Sequence, residues 1–112
     1  MNKSSTRYFS NKQEKRVAKR VGGKQTANSG ATKFSKGDVR TDNGWLIECK
    51  TKTTPSESIS IKRDWLEKNE EEAFAMGKEH SAIAFSFGDT HNDTDYYIIS
   101  EKEFKRLLDL EE

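Results

Sequence analysis

Apolar positions recur along this chain in two rhythms. From about Lys12 to Val21 they follow a helical period, with Val17, Ala18 and Val21 on one face and Gly22-Gly23 as the stop. Gly22 to Lys36 is rich in Gly, Ser, Thr, Asn and Lys and predicts a long loop. Gly37–Thr41 and Trp45–Lys52 predict two strands joined by a turn at Asp42-Asn43-Gly44. Ser58–Ile61 alternates Ser-Ile-Ser-Ile, a short strand signal. A helix follows over about Arg63–Gly77, with Trp65, Leu66, Ala73, Phe74 and Met76 as its buried side chains. Ser81–Phe87 and Thr94–Ser100 predict two more strands. A last helix runs from Glu101 to about Asp109, with Phe104, Leu107 and Leu108 facing inward. Mixed in this order, the elements predict an α/β single domain, one central sheet with helices packed on it.

The chain has 112 residues, 31% hydrophobic and 35% charged, so it suits one modest core. Residues 1–11 predict a flexible basic arm and 12–112 the folded domain. A lone Cys49 excludes an intrachain disulfide and a Cys-rich zinc site. It fits a reducing, cytoplasmic setting, which would be the host cytoplasm if the gene is carried by a phage. No long apolar run or secretory segment is present, so no membrane partner is expected. The net charge of +1 conceals a division. Residues 1–63 hold 15 Lys/Arg against 5 Asp/Glu, whereas residues 64–112 hold 5 against 14. Either a basic face awaits a polyanion or the two halves attract each other.

The candidate chemistry lies in the basic half. Residues two apart on a strand share a face, so Glu48 and Lys50 point one way and Trp45, Ile47 and Cys49 the other. A carboxylate beside a lysine can hold a divalent cation and orient a water at a phosphate, although Glu-x-Lys also occurs on ordinary solvated strands. Asp38 adds to the pair. A three-residue loop Asp42–Gly44 puts Asp38 across from Glu48, where like charges repel unless a cation joins them. A two-residue Asn43-Gly44 turn would instead put Asp38 opposite Cys49, on the other face. Glu14 lies three residues before Val17, on the apolar stripe of the first helix, where a carboxylate needs a partner. That partner is either a neighbouring basic residue or the same cation site.

Glu14, Gly37-Asp38 and Glu48-Cys49-Lys50, in this order and on these elements, resemble the PD-(D/E)xK nuclease superfamily. The pattern is most similar to the archaeal-type and phage Holliday junction resolvases. Gly37 stands where the superfamily name has proline. The resemblance covers roughly residues 12–87 and implies a restriction-endonuclease-like fold, a mixed central sheet flanked by helices. It implies Mg²⁺ or Mn²⁺ held by Asp38, Glu48 and the Cys49 backbone carbonyl, with Glu14 completing the acidic site. It also implies Lys50 positioning the attacking water, Ser29 as a functional serine in the Gly22–Lys36 loop, and a homodimer. Such an enzyme would be a divalent-metal-dependent, structure-selective DNA endonuclease acting on four-way junctions or other branched DNA. The alternatives are a nickase or nonselective DNase of the same fold, or a DNA-binding module that does not cleave.

The basic residues near this signature in sequence then have a use. Lys24, Lys33, Lys36, Lys52 and Lys62, with Ser29, are the candidate DNA contacts, and Lys12, Lys15, Arg16, Lys19 and Arg20 add charge. No base-reading motif is present, which predicts recognition by backbone shape. Gly22-Gly23-Lys24 lacks the spacing of a P-loop. His80 and His91 read as surface histidines, and Cys49 as a small buried hydrophobe. Phe85, Phe87, Tyr96 and Tyr97 are the expected dimer patch.

Overall fold

A computed structural model describes residues 6–26, 38–88 and 94–110. Helix α1 spans Thr6–Val21, six residues earlier than the apolar period predicts. No Gly or Pro interrupts Thr6–Lys12, so the helix continues into residues read from composition as part of an arm. Lys19 and Arg20 lie in its last turn, where they complement the helix dipole. Gly22 takes a left-handed φ of 72° and ends it, with the Gly23 amide donating to the Ala18 carbonyl.

Strand β1 (Lys24–Gln25) emerges inside the expected loop. It pairs antiparallel with β2 (Asp38–Arg40), matching Lys24 to Arg40 and Gln25 to Val39. Gly23 is required there, because a Cβ would fall 2.7 Å from the Arg40 carbonyl oxygen. Strand β3 (Trp45–Thr51) returns antiparallel to β2. Helix α2 (Arg63–Ala75) crosses to β4 (His80–Ser86), which runs parallel to β3. Strand β5 (Tyr96–Ile98) pairs antiparallel with β4, and α3 (Glu101–Leu107) ends the described chain. Among the described residues this gives an α/β fold of three helices and a five-stranded mixed sheet, ordered β1-β2-β3-β4-β5. Ser58–Ile61 is not a strand: neither sheet edge takes it as a neighbour, and alternation alone makes no ladder.

Each face of the sheet has its own helix. Val17 of α1 packs with Val39, Ile47, Cys49, Ala82 and Ala84. On the other face α2 covers β3 and β4, and its buried Asn69 donates to the carbonyls of Leu46 and Ala82. Ala73 is buried as expected, but Phe74 is 86% exposed and Met76 is also exposed. Both lie at the C-terminal end of α2, off the stripe formed by Asn69 and Ala73. Helix α3 departs further from expectation. Phe104, Leu107 and Leu108 face solvent, while Glu103 is buried against His80. The helix is short, and it docks through the acid rather than through its apolar stripe. His80 is correspondingly no surface histidine: its ring lies 4.9 Å from that of Trp45 and 2.8 Å from Glu103. His91 lies outside the described residues.

Candidate active site

The turn residues decide the register on which the site depends. The Thr41 amide donates to the Trp45 carbonyl, the Trp45 amide donates to Thr41 Oγ1, and Gly44 takes a φ of 97°. The loop therefore has three residues. Asp38 pairs with Glu48, Val39 with Ile47 and Arg40 with Leu46. Paired residues share a face, so Asp38 joins Glu48 and Lys50 on the α2 side, away from Ile47 and Cys49. Asp38 and Glu48 are both buried.

Lys50 completes this group. Its Nζ lies 3.0 Å from Glu48 Oε2 and 4.3 Å from the centre of the Trp65 ring on α2. Its side chain is a quarter exposed, whereas that of Glu48 is almost wholly covered. The ammonium is held between a carboxylate and an aromatic face, with one side open to an incoming group. Trp65, expected simply as core, is thus a direct neighbour of Lys50.

Glu14 is buried too, but it belongs to another part of the sheet. It rides on α1, which covers the Ile47 and Cys49 face, and it accepts a hydrogen bond from Gln25 Nε2 at 3.1 Å. Among the described residues, no three His, Cys, Asp or Glu side chains stand together as a group able to hold one metal ion. The register thus puts Asp38 on the same face as Glu48 and Lys50, whereas Glu14 is carried by the helix that covers the other face. Electrostatics still connect the acids. Burial pushes the Cys49 thiol well above its ordinary range, and the negative charges of Glu14, Asp38 and Asp95 push it further, with Arg16 opposing. Cys49 is the inert, buried residue its strand position predicts.

The donor set fits a hard divalent cation. Two carboxylates on one face, with no histidine or thiolate among them, are the donor type that Mg²⁺ takes in preference to softer metals. Ser29, Lys33 and Lys36 lie outside the described residues. Lys24 and Lys62 are exposed and Lys52 is half-buried just past β3.

A second set of polar residues escaped the sequence reading. Gln13 is fully buried, and its Nε2 lies within hydrogen-bonding distance of the carbonyls of Lys50 and Ala84 and of Asp95 Oδ1. Arg16 grips Asp95 through two bonds of 2.7 and 2.8 Å. Arg16, which adds to the basic charge of the sequence, is therefore engaged inside the protein. Gln13 lies four residues before Val17, so the helical period places it on the inward stripe. Asn69 sits likewise four residues before Ala73. Asp95 carried no such signal.

No family model, curated protein or solved structure matches the chain. The functional reading therefore rests on the site itself and on the motif it carries.

Proposed function

We propose that this protein is a divalent-metal-dependent DNA endonuclease acting on branched DNA, in the manner of a Holliday junction resolvase with a restriction-endonuclease-like fold. The observation that carries the reading is the buried Asp38–Glu48 opposition, with Lys50 held 3.0 Å from Glu48. Cross-strand partners share a face, so the register presents two carboxylates side by side, the oxygen donors a hard divalent cation takes, with an ammonium beside one of them. A Mg²⁺ or Mn²⁺ ion held by Asp38 and Glu48, with the Cys49 carbonyl, would polarise the scissile phosphate and lower the pKa of a water. Glu14 is kept as an outer acid at the β1 edge.

The chain's own contribution is preorganisation. Glu48 and Trp65 fix the Lys50 ammonium before substrate arrives, so its charge and donor protons already point where negative charge grows during attack on phosphorus. Gln13 restrains the Lys50 carbonyl from behind, which keeps the end of β3 from shifting. Exposed Lys12, Lys15, Lys19 and Lys24 on α1 and β1 supply sequence-independent attraction for phosphates, as do Lys52 and Lys62 near α2. A homodimer would bring two such sites to the paired strands of a junction. The aromatic residues expected as its patch are divided: Phe85, Phe87 and Tyr96 pack on one another, and Tyr97 belongs to the α1 face.

The test is cleavage of labelled four-way junction, nicked duplex and linear duplex in Mg²⁺, Mn²⁺ or EDTA. The expected result is cation-dependent nicking of the junction well above the linear form. Equal cutting of all three substrates would make the protein a nickase or nonselective DNase. Binding without cutting under every cation would make it a DNA-binding module.

A further inference from the structure

Two rows of side chains cross the α2 face of the sheet in register. One runs Asp38, Glu48, Ile83, Ile98, and the next runs Lys50, Phe85, Tyr96. The row that begins at the lysine therefore ends in aromatic rings. Phe85 and Tyr96 stack with centroids 5.4 Å apart and planes at 29°. Phe87 meets both edge-on, at 5.4 and 5.7 Å. Tyr96, on the edge strand, remains 49% exposed. Lys52 extends the cationic side past the end of β3, its amide donating to the Ser86 carbonyl. Neighbouring strands lie about 4.8 Å apart, which puts Phe85 about 5 Å and Tyr96 about 10 Å across the sheet from Lys50.

A cation beside a partly open ring stack has a definite chemical complement. The phosphate of a nucleotide suits the lysines, and its base suits the rings. Within a duplex the bases stack on each other and offer no free face. The complement is thus a nucleotide whose base has left the stack. We infer that Phe85, Phe87 and Tyr96 form a stacking shelf for an unpaired nucleobase of the DNA strand whose phosphate lies at Lys50. The inference rests on the nuclease reading and specifies its substrate: DNA with an unstacked base at a branch, flap or gap. Every base has a π face, so the shelf selects structure without reading sequence.

The probe is a forked DNA carrying 2-aminopurine as the first unpaired base at the branch, bound by the full chain in EDTA so that no cutting occurs. Wild-type protein should quench the 2-aminopurine fluorescence, and Tyr96→Phe should do the same. Tyr96→Ala should lose the quench and bind the fork about five- to hundredfold more weakly, while its affinity for linear duplex holds. Tyr96→Leu retains apolar contact with Phe85 and Phe87, so it protects the test against misfolding. It should behave as Tyr96→Ala does. Quenching that survives Tyr96→Leu, or wild-type binding and cleavage with no quench, would overturn the shelf alone. Wild-type protein that binds neither fork nor duplex would overturn the shelf and the nuclease reading together.

Discussion

Asp38 on β2 lies directly across the ladder from Glu48 on β3, and both carboxylates are buried. The pair has an energetic signature apart from catalysis. A cation bound by both carboxylates adds its binding free energy to the stability of the fold, and Asp38→Asn or Glu48→Gln should each remove that gain. Mg²⁺ should stabilise the wild type and do nothing for either variant. Both variants should lose cleavage and keep DNA binding. Calorimetry in EDTA and in Mg²⁺ reads the first effects, and equal Mg²⁺ stabilisation of all three proteins would remove the carboxylates from the metal site.

Arg16 and Asp95 make the second prediction. Their side chains are 12% and 3% exposed and form a two-bonded pair. Asp95→Ala would strand the guanidinium and remove one of the Gln13 hydrogen-bond partners, at a cost of about 3–5 kcal/mol. Urea denaturation should show the midpoint falling without a change in slope. A destabilisation within error would mean that water replaces the carboxylate.

The exposed cations of α1 make the third. Replacing Lys12, Lys15 and Lys19 together with Gln should flatten the dependence of log affinity on log salt by about 0.9 for each phosphate no longer neutralised. Titrations at several salt concentrations measure the slope. An unchanged slope would assign these lysines to solubility.

Cys49 makes the fourth. It is 7% exposed and its thiol is held neutral by burial. A thiol reagent at pH 8 should label it only as fast as the protein opens, and at once in denaturant. Immediate labelling of folded protein would contradict the packing of α1 on β3.

The β2–β3 hairpin was readable up to one choice, because a period of two fixes which side chains share a face once the turn length is decided between two and three residues. That logic placed Glu48 and Lys50 on one face and the buried Cys49 on the other, and the three-residue loop then put Asp38 with Glu48. It could not tell whether an apolar stripe meets a partner. Phe104, Leu107 and Leu108 carry the same spacing as core residues, yet α3 docks through Glu103 on His80. Gln13 and Asn69 were missed for a related reason. A buried amide is tolerable only where backbone carbonyls converge on it, and those carbonyls come from residues 13 to 71 positions away. The aromatic row beside Lys50 depends likewise on the parallel pairing of β3 with β4, which no local turn specifies.

The spatial order of the five strands is their order along the chain, and this has a kinetic consequence. Each strand finds its neighbour already made, so the sheet can grow edge to edge as the chain leaves the ribosome, with few long loops to close. The bonds from α1 to Asp95 span much longer stretches, 79 positions from Arg16 and 82 from Gln13. These bonds can form only after β4 has been synthesised, so they fasten α1 late, as β5 is being added to the sheet. Stopping translation before residue 95 should therefore leave Asp38, Glu48 and Lys50 on their hairpin, with α1 held by Val17 and by the Gln13 bonds to Lys50 and Ala84 but without its ion pair.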